Sequence, residues 1–115
     1  MRVKSEIWVG AYLRRCQAEA IPAVIVRRGD GAAGAIYVSI DRLDGTVCLY
    51  GPAPAGLDGA ETDRRWVRCL GESPVVSSEA SIYLARQLEF DSDLWIVEVE
   101  DRAGRHFLGD DAVED

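Results

Sequence analysis

The fold is decided by the stretch "RRGDGAAGAIYVSID", residues 27–41. Gly29, Gly31 and Gly34 match the GxGxxG spacing that binds dinucleotide phosphates, but that fingerprint needs a helix directly after the glycines to hold the pyrophosphate. Here the segment "AIYVSID" follows, and its side chains alternate with the period of two that is typical of a strand. The sequence therefore predicts a loop between two antiparallel strands and not a phosphate site.

The same loop contains the cell-adhesion tripeptide Arg28-Gly29-Asp30. That tripeptide matters only on an exported protein, and the opening segment "MRVKSEIWVG" shows no apolar signal-peptide core. We therefore expect a cytoplasmic protein and a structural role for the loop. In that role glycine supplies positive φ angles, and the Asp30 carboxylate binds the loop's own backbone.

Regular elements are predicted on both sides of the loop. Trp8, Tyr12 and Cys16 recur at helical spacing within residues 5–20, with Ser5 as the N-cap. The apolar run "PAVIVRR" precedes the loop and is typical of a buried strand. After the loop, the turn "DRLDG" leads into a third strand, "TVCLY".

The second half of the chain continues this pattern. The Pro- and Gly-rich residues 51–63 are the longest predicted loop, and "RRWVRCL" after them predicts a fourth strand. A second helix is capped by Ser77 or Ser78, and "LWIVEVED" predicts a strong strand. A short hairpin would bring "RHFL" back beside it as an optional further strand.

The predicted order of elements is α-β-β-β-β-α-β, with one more strand optional. Strand runs flanked by helices indicate the α+β class, here a mainly antiparallel sheet of five to six strands with two helices packed on one face. We expect residues 1–108 to form a single domain. Residues 109–115, "GDDAVED", are acidic and predict a disordered tail.

Composition narrows the classes of function. The net charge of −7 repels phosphate backbones, so nucleic-acid binding is unfavourable, and no apolar run approaches the roughly 20 residues that cross a bilayer. The three cysteines are widely spaced without a CxxC pair, which favours core positions over metal ligation. His106 has no second histidine to pair with, and no nucleophile motif is present. The sequence therefore favours a non-enzymatic protein without a metal or cofactor.

Arginines near the ends of predicted strands are the candidates for a binding site, because guanidinium groups bind phosphates and carboxylates. One hypothesis is an anionic small molecule held by these arginines, with residues 51–63 as a lid and Asp30 or Asp63 as an acid or base. Ion pairing with the many carboxylates of the chain is the favoured alternative. The candidate ligand-binding residues are Arg28, Asp30, Arg64, Arg65 and Trp66.

A protein-interaction module, homodimeric or bound to another protein, is the favoured function. Trp8, Trp66 and Trp95 lie in apolar segments as core or interface anchors, and a free edge strand would accept a partner strand. Single-stranded nucleic acid bound at Trp66 ranks last because of the net charge. The positions of the arginines distinguish the ligand-binding hypothesis from the interaction hypothesis. Arginines that share one pocket favour ligand binding, and arginines dispersed in ion pairs favour protein interaction.

Several ordered stretches together resemble a known family. They are "MRVKSEIWVGAYLRR", "RRGDGAAGAIYV", "LYGPAP", "DRRW" and "FDSDLWIVEVED". On these stretches the chain resembles the DUF1491 family, small uncharacterised proteins of alphaproteobacteria, from its first residue to about residue 101. The resemblance implies a bacterial cytoplasmic protein of this size. It implies no catalytic or binding residues.

Overall fold

The computed structural model describes residues 2–54 and 64–114. Two helices and seven strands are defined within these residues, together with one short 3-10 turn. In chain order they are α1 (Ser5–Ala18), β1 (Ala23–Arg27), β2 (Ile36–Asp41), β3 (Thr46–Pro52), β4 (Trp66–Arg68), β5 (Val75–Val76), α2 (Ser77–Phe90), β6 (Trp95–Glu100), the 3-10 turn (Asp110–Ala112) and β7 (Val113–Glu114).

The strands form one mixed sheet in the order β1-β6-β2-β3-β4-β7, with β5 pairing with β3. The α+β class is confirmed, but the prediction of a mainly antiparallel sheet is wrong, because β6 runs parallel to β2 and β7 parallel to β4. The other neighbouring pairs are antiparallel.

Strand β6 lies between β1 and β2, where the sequence predicted a direct hairpin. The physical reason is that Trp95, Ile96 and Val97 are all buried, and a strand that is apolar on both faces is stable only inside a covered sheet. Strand β1 instead alternates between half-buried and exposed residues, which is typical of an edge.

The two helices cover opposite faces of the sheet, so the prediction that both pack on one face is wrong. In β2 all residues from Ile36 to Ile40 are buried, and successive side chains point to opposite faces, so each face needs its own covering layer. Side chains of α1 that pack on one face are Val9, Tyr12 and Cys16, against Ile36, Val38 and Ile40. Those of α2 on the other face are Tyr83, Leu84 and Leu88, against Tyr37, Leu49 and Ile96.

The boundaries of two predicted irregular segments also differ. Gly51 and Pro52 still belong to β3, and residues 55–63, most of the predicted lid, lie outside the described residues. At the other end, the predicted disordered tail contains the 3-10 turn and β7, and Val113 packs against the core. The prediction of an optional strand at "RHFL" beside β6 is wrong, because "RHFL" is not a strand, and the last strand, β7, is a different segment that pairs with β4.

Neither helix among the described residues has the length and apolar character that a membrane span requires.

Candidate functional site

The glycine loop, residues 28–35, passes over the start of β6 on its way from β1 to β2. The backbone N–H of Asp30 donates to the carbonyl oxygen of Asp93 over 2.8 Å, and Nε1 of Trp95 donates to the carbonyl oxygen of Asp30 over 2.8 Å. The loop is therefore a clamp on the segment before β6 and does not turn a hairpin.

Two of the three glycines in this loop, Gly29 and Gly34, are required by close contact with the backbone. A Cβ at Gly29 would lie 2.1 Å from the carbonyl oxygen of Asp93, and one at Gly34 would lie 2.3 Å from the same atom. None of the three loop glycines has a left-handed φ, so the expected use of positive φ is wrong here. At Gly31 the nearest atom is the end of the flexible Glu6 side chain, which can move away.

The other side of the loop caps helix α1. The backbone N–H groups of Ser5 and Glu6 donate to the carbonyl oxygens of Ala32 (3.2 Å) and Gly31 (2.9 Å). The hydroxyl of the fully buried Ser5 donates to the carbonyl oxygen of Gly34 over 2.6 Å, so Ser5 is the first helical residue and not the predicted N-cap. The amides that a phosphate would need at this helix terminus are already bonded to the loop.

Two of the predicted site residues have structural partners within the loop region. The Asp30 carboxylate accepts from the backbone N–H of Ala33 over 2.9 Å, which is the local turn bond expected of an aspartate here. The guanidinium of Arg28 lies 5.2 Å from the ring centroid of Trp95, in a cation–π contact.

The other predicted residues point in different directions. Arg65 forms an exposed ion pair with Glu114, with Nε and Oε2 2.8 Å apart. Trp66 is buried, and its ring centroid lies 4.9 Å from that of Trp8, so it is a core residue. Arg64 donates to the hydroxyl of Ser5 over 3.1 Å. Among the described residues, Arg28, Arg64 and Arg65 therefore contact three different partners, and these contacts are dispersed.

Arg64 lines a small pocket together with Arg2 and Lys4, which were not among the predicted site residues. Together with Arg2 and Lys4 it borders a cavity of about 330 Å³ beside the glycine loop, in which no described carboxylate takes part. Burial, with the nearby charge of Arg2, lowers the pKa of Arg64. Arg2 and Lys4 were missed because nothing in the sequence relates the first residues to residue 64. We call this cavity the basic pocket.

A second cavity, of about 340 Å³, lies between α2 and the sheet, and we call it the α2 cleft. Its wall is mainly aliphatic, and its polar residues are Ser39, Asp41 and Glu98 from the sheet and Ser77 and Ser81 from α2. Ser39 and Glu98 are register partners on β2 and β6, so both side chains point to the same face. The sequence signal for this cleft was weak, because it consisted of one polar residue within each of two apolar strands.

The α2 cleft carries unbalanced negative charge. Burial raises the pKa of Glu98, and the carboxylates of Asp41 and Glu100 raise it further. Among the described residues, Glu98 forms no ion pair. Strand register places Glu100 beside Asp41, so three carboxylates lie on two neighbouring strands.

The free edge of β1 is the most apolar exposed part of the sheet. Val24 and Val26 are 57% and 56% exposed. The strand register pairs Val24 with Glu98, so the Val24 side chain lies on the α2 face, and Val26 lines the α2 cleft on the same face. A β-bulge between Ile25 and Arg27 shifts the register with β6, and the pairing resumes at Arg27 with Ile96.

The lone histidine and the cysteines have structural positions. Nδ1 of His106 accepts from the backbone N–H of Leu108 over 2.9 Å, and burial lowers the pKa of the imidazole. Cys16 and Cys48 are buried, and burial raises the pKa of the thiols of Cys16 and Cys69, which makes them poor nucleophiles. Within residues 2–54 and 64–114, no cluster of His, Cys, Asp and Glu side chains could hold a metal ion.

Together these features define a small α+β protein whose mixed sheet is covered by one helix on each face, with the basic pocket beside the glycine loop, the α2 cleft under α2, and an apolar edge at β1. The chain belongs to the DUF1491 family, because the family model "Protein of unknown function (DUF1491)" matches residues 3–109. No curated protein matches the chain.

Solved structures of this family have the same fold. A crystal structure of a DUF1491 family protein from Caulobacter crescentus CB15 is 34% identical, with a TM-score of 0.80 and full coverage of both chains. The solution structure of protein Atu0922 from A. tumefaciens is 41% identical, covering 87% of this chain and 86% of that one, with a TM-score of 0.77. An NMR structure of a DUF1491 family protein from Caulobacter crescentus CB15 is 37% identical, covers 100% of this chain and 99% of that one, and has a TM-score of 0.80.

Proposed function

We propose that this protein is a non-enzymatic interaction module that forms a homodimer through the free edge of β1. The observation that carries the proposal is the pair Val24 and Val26, both more than half exposed on an edge strand. An edge strand presents unpaired backbone N–H and C=O groups, and exposed β-branched side chains favour pairing with another strand.

The sequence of β1 is suited to pairing with itself. In an antiparallel pair centred on Ile25, Val24 of one copy faces Val26 of the other, and the reciprocal contact follows from the two-fold axis. The four valines then form one apolar patch on the α2 face of a sheet that continues across both copies. Because the bulge after Ile25 keeps the paired segment short, we expect a weak, reversible dimer.

Charge gives this dimer a distinctive salt dependence. Each copy carries a net charge of −7, so two copies repel each other at low ionic strength. Salt screens that repulsion and leaves the apolar contact in place. The dimer should therefore tighten as salt is added, whereas a dimer held by ion pairs would weaken.

The test is sedimentation velocity over a concentration series, with Val24→Lys as the disrupting variant. Ile82→Lys is the matched control, because Ile82 is 56% exposed but lies on α2, away from the sheet edge. We expect wild type and Ile82→Lys to dimerise and Val24→Lys to remain monomeric. A wild-type protein that is monomeric at every concentration, at both low and high salt, would refute the proposal.

The second candidate function is binding of an anionic small molecule, and the basic pocket supports it. Arg2, Lys4 and Arg64 surround this cavity, whereas Arg28 and Arg65 of the original hypothesis have other partners. Thermal-shift measurements with phosphorylated and carboxylated metabolites test it. Arg2→Ala should abolish any stabilisation, and Arg65→Ala, which removes a guanidinium outside the pocket, should retain it. No stabilisation by any compound of the panel would count against this function.

A further inference from the structure

The α2 cleft combines an apolar wall with polar groups of one kind. Every polar side chain that lines it is a serine or a carboxylate, so each can accept a hydrogen bond, and no cationic side chain is among its described lining. The apolar wall comes from both sides, with Leu84 and Leu88 on α2 facing Ile96 on β6. A ligand that fits this lining has an aliphatic body and a group that donates hydrogen bonds.

At the polar end of the cleft, the hydroxyl of Ser39 has hydrogen-bonding capacity that no described residue takes up. Its side chain is only 8% exposed, yet its hydroxyl makes no hydrogen bond to any described residue. The hydroxyls of Ser77 and Ser81 differ, since they donate to the carbonyl oxygens of Gly45 (3.1 Å) and Ser77 (3.2 Å). The Ser39 hydroxyl is not among the buried polar atoms that lack a partner, and Ser39 lines the cleft, where its hydroxyl can bond a ligand.

The carboxylates of the cleft favour a ligand that carries a positive charge. Glu98 lies beside Ser39 in register, and Asp41 lies two residues further along β2. Among the described residues neither carboxylate has a salt bridge, and one oxygen of Asp41 accepts from the backbone N–H of Leu43 over 2.8 Å. A cation placed between them would offset the repulsion between like charges in a partly desolvated site.

We propose that the α2 cleft binds an alkylammonium group, with the ammonium on Glu98, Asp41 and Ser39 and the alkyl chain between α2 and β6. An ammonium group carries three N–H donors and one positive charge, which matches two carboxylates and a hydroxyl. A metal ion fits less well, because the described acidic residues do not form a metal-binding cluster. The cleft volume of about 340 Å³ suits a small aliphatic amine.

The experiment is a titration of the ¹⁵N-labelled protein with hexylammonium chloride near neutral pH, followed by backbone amide chemical shifts. Hexanol and hexanoate are the matched ligands, because they keep the chain and change only the head group. We expect saturable shifts confined to the residues around Ser39, Glu98 and Ser81 with the amine alone. An amide of Nα-acetyl-lysine forms a second arm: tighter binding than hexylammonium would identify a protein lysine as the source of the group, and weaker binding a free amine.

Variants separate specific binding from general attraction to an acidic protein. Glu98→Gln should weaken hexylammonium binding by about tenfold or more, since a charged hydrogen-bonding partner is lost. Glu79→Gln removes the same charge from the first turn of α2, outside the cleft, and should bind like wild type. Equal effects of the two variants, shifts outside the cleft, or equal binding of hexanol would each overturn the proposal.

The cleft can be tested independently of the dimer. Val26 borders the cleft, so the titration is repeated with Val24→Gln, which removes the proposed apolar dimer contact without placing a cationic side chain beside Glu98 and leaves the lining residues unchanged. Amine binding to this monomeric variant supports the cleft whether or not the wild type dimerises. Loss of binding in the variant would overturn a site formed by one chain.

Discussion

Replacing Gly29 by alanine tests the role of the glycine loop as a clamp on β6. The added Cβ would lie 2.1 Å from the carbonyl oxygen of Asp93, and real Cβ atoms do not approach other atoms within 3.0 Å, so the loop must retreat by at least 3.0 − 2.1 = 0.9 Å. Both neighbouring groups are backbone atoms of Asp93 and Leu94, which cannot rotate away as a side chain would.

A retreat of that size breaks the contacts that hold the loop. The bonds from the N–H of Asp30 to Asp93 and from Nε1 of Trp95 to Asp30 are both 2.8 Å long, and a shift of 0.9 Å along either would leave it at 3.7 Å, beyond hydrogen-bond range. Overpacking costs about 1–3 kcal/mol and each lost bond about 1 kcal/mol. We therefore expect Gly29→Ala to lower the free energy of unfolding by about 3–5 kcal/mol.

The assay is urea unfolding followed by tryptophan fluorescence, with Gly31→Ala and Gly10→Ala as graded controls. At Gly31 the nearest atom is a carboxylate oxygen of Glu6 at 2.7 Å, which can swing away, so the loss should stay below about 1 kcal/mol. Gly10 lies within α1 with its nearest atom at 3.5 Å, so alanine should stabilise the helix by roughly 0.5–1 kcal/mol. If Gly29→Ala lost less than about 1 kcal/mol while Gly10→Ala behaved as expected, close contact would not explain the glycine.

Three further predictions concern buried polar groups. Ser5→Ala removes the 2.6 Å bond from the buried hydroxyl to Gly34, and urea unfolding should show a loss of about 1–2 kcal/mol. The pKa of Glu98 is raised in the folded state, so ionisation of this carboxyl destabilises the fold as the pH rises above the ordinary carboxylate range. Glu98→Gln should therefore raise Tm near pH 7, and this gain should vanish toward about pH 4. Hydrogen bonds from Arg105 lower the pKa of Asp101, so Asp101→Asn should lower Tm at neutral pH, and this deficit should shrink as the pH falls below about 4.

Each of these has a result that would contradict it. Ser5→Ala with wild-type stability would mean that its hydroxyl bond contributes nothing net. A Glu98→Gln variant less stable than wild type at neutral pH would show that the carboxylate has a favourable partner. A constant Tm deficit of Asp101→Asn across the acidic range would assign the loss to packing and not to charge.

Local patterns in the sequence predicted most of the elements but not the way they assemble. Helical spacing of Trp8, Tyr12 and Cys16 and alternation in "AIYVSID" report on local backbone geometry, and both were confirmed. The pairing of β6 with β1 and β2 depends on residues far apart in the chain, for example Ala23 with Val99 and Ile36 with Trp95, and no local pattern encodes such a register. The burial of β6 on both faces was visible in "LWIVEVED", and it points to a central strand more directly than chain order does.

The candidate sites were harder to predict for the same reason. The predicted arginines share a residue type but not a location, since Arg28 lies over Trp95 and Arg65 binds Glu114. The α2 cleft depends on Ser39 and Glu98 being neighbours, which follows only from the parallel register of two distant strands. Residue type indicates what a side chain can bind, and only tertiary pairing indicates which side chains act together.

The central position of β6 has a consequence for how the chain folds during synthesis. Strands β1 and β2 leave the ribosome before β6, so both lack their native neighbour until β6 has been synthesised. The loop that clamps β6 must also wait for the segment around Asp93. The β1-β6-β2 part of the sheet therefore cannot form until the segment up to Glu100 has been synthesised.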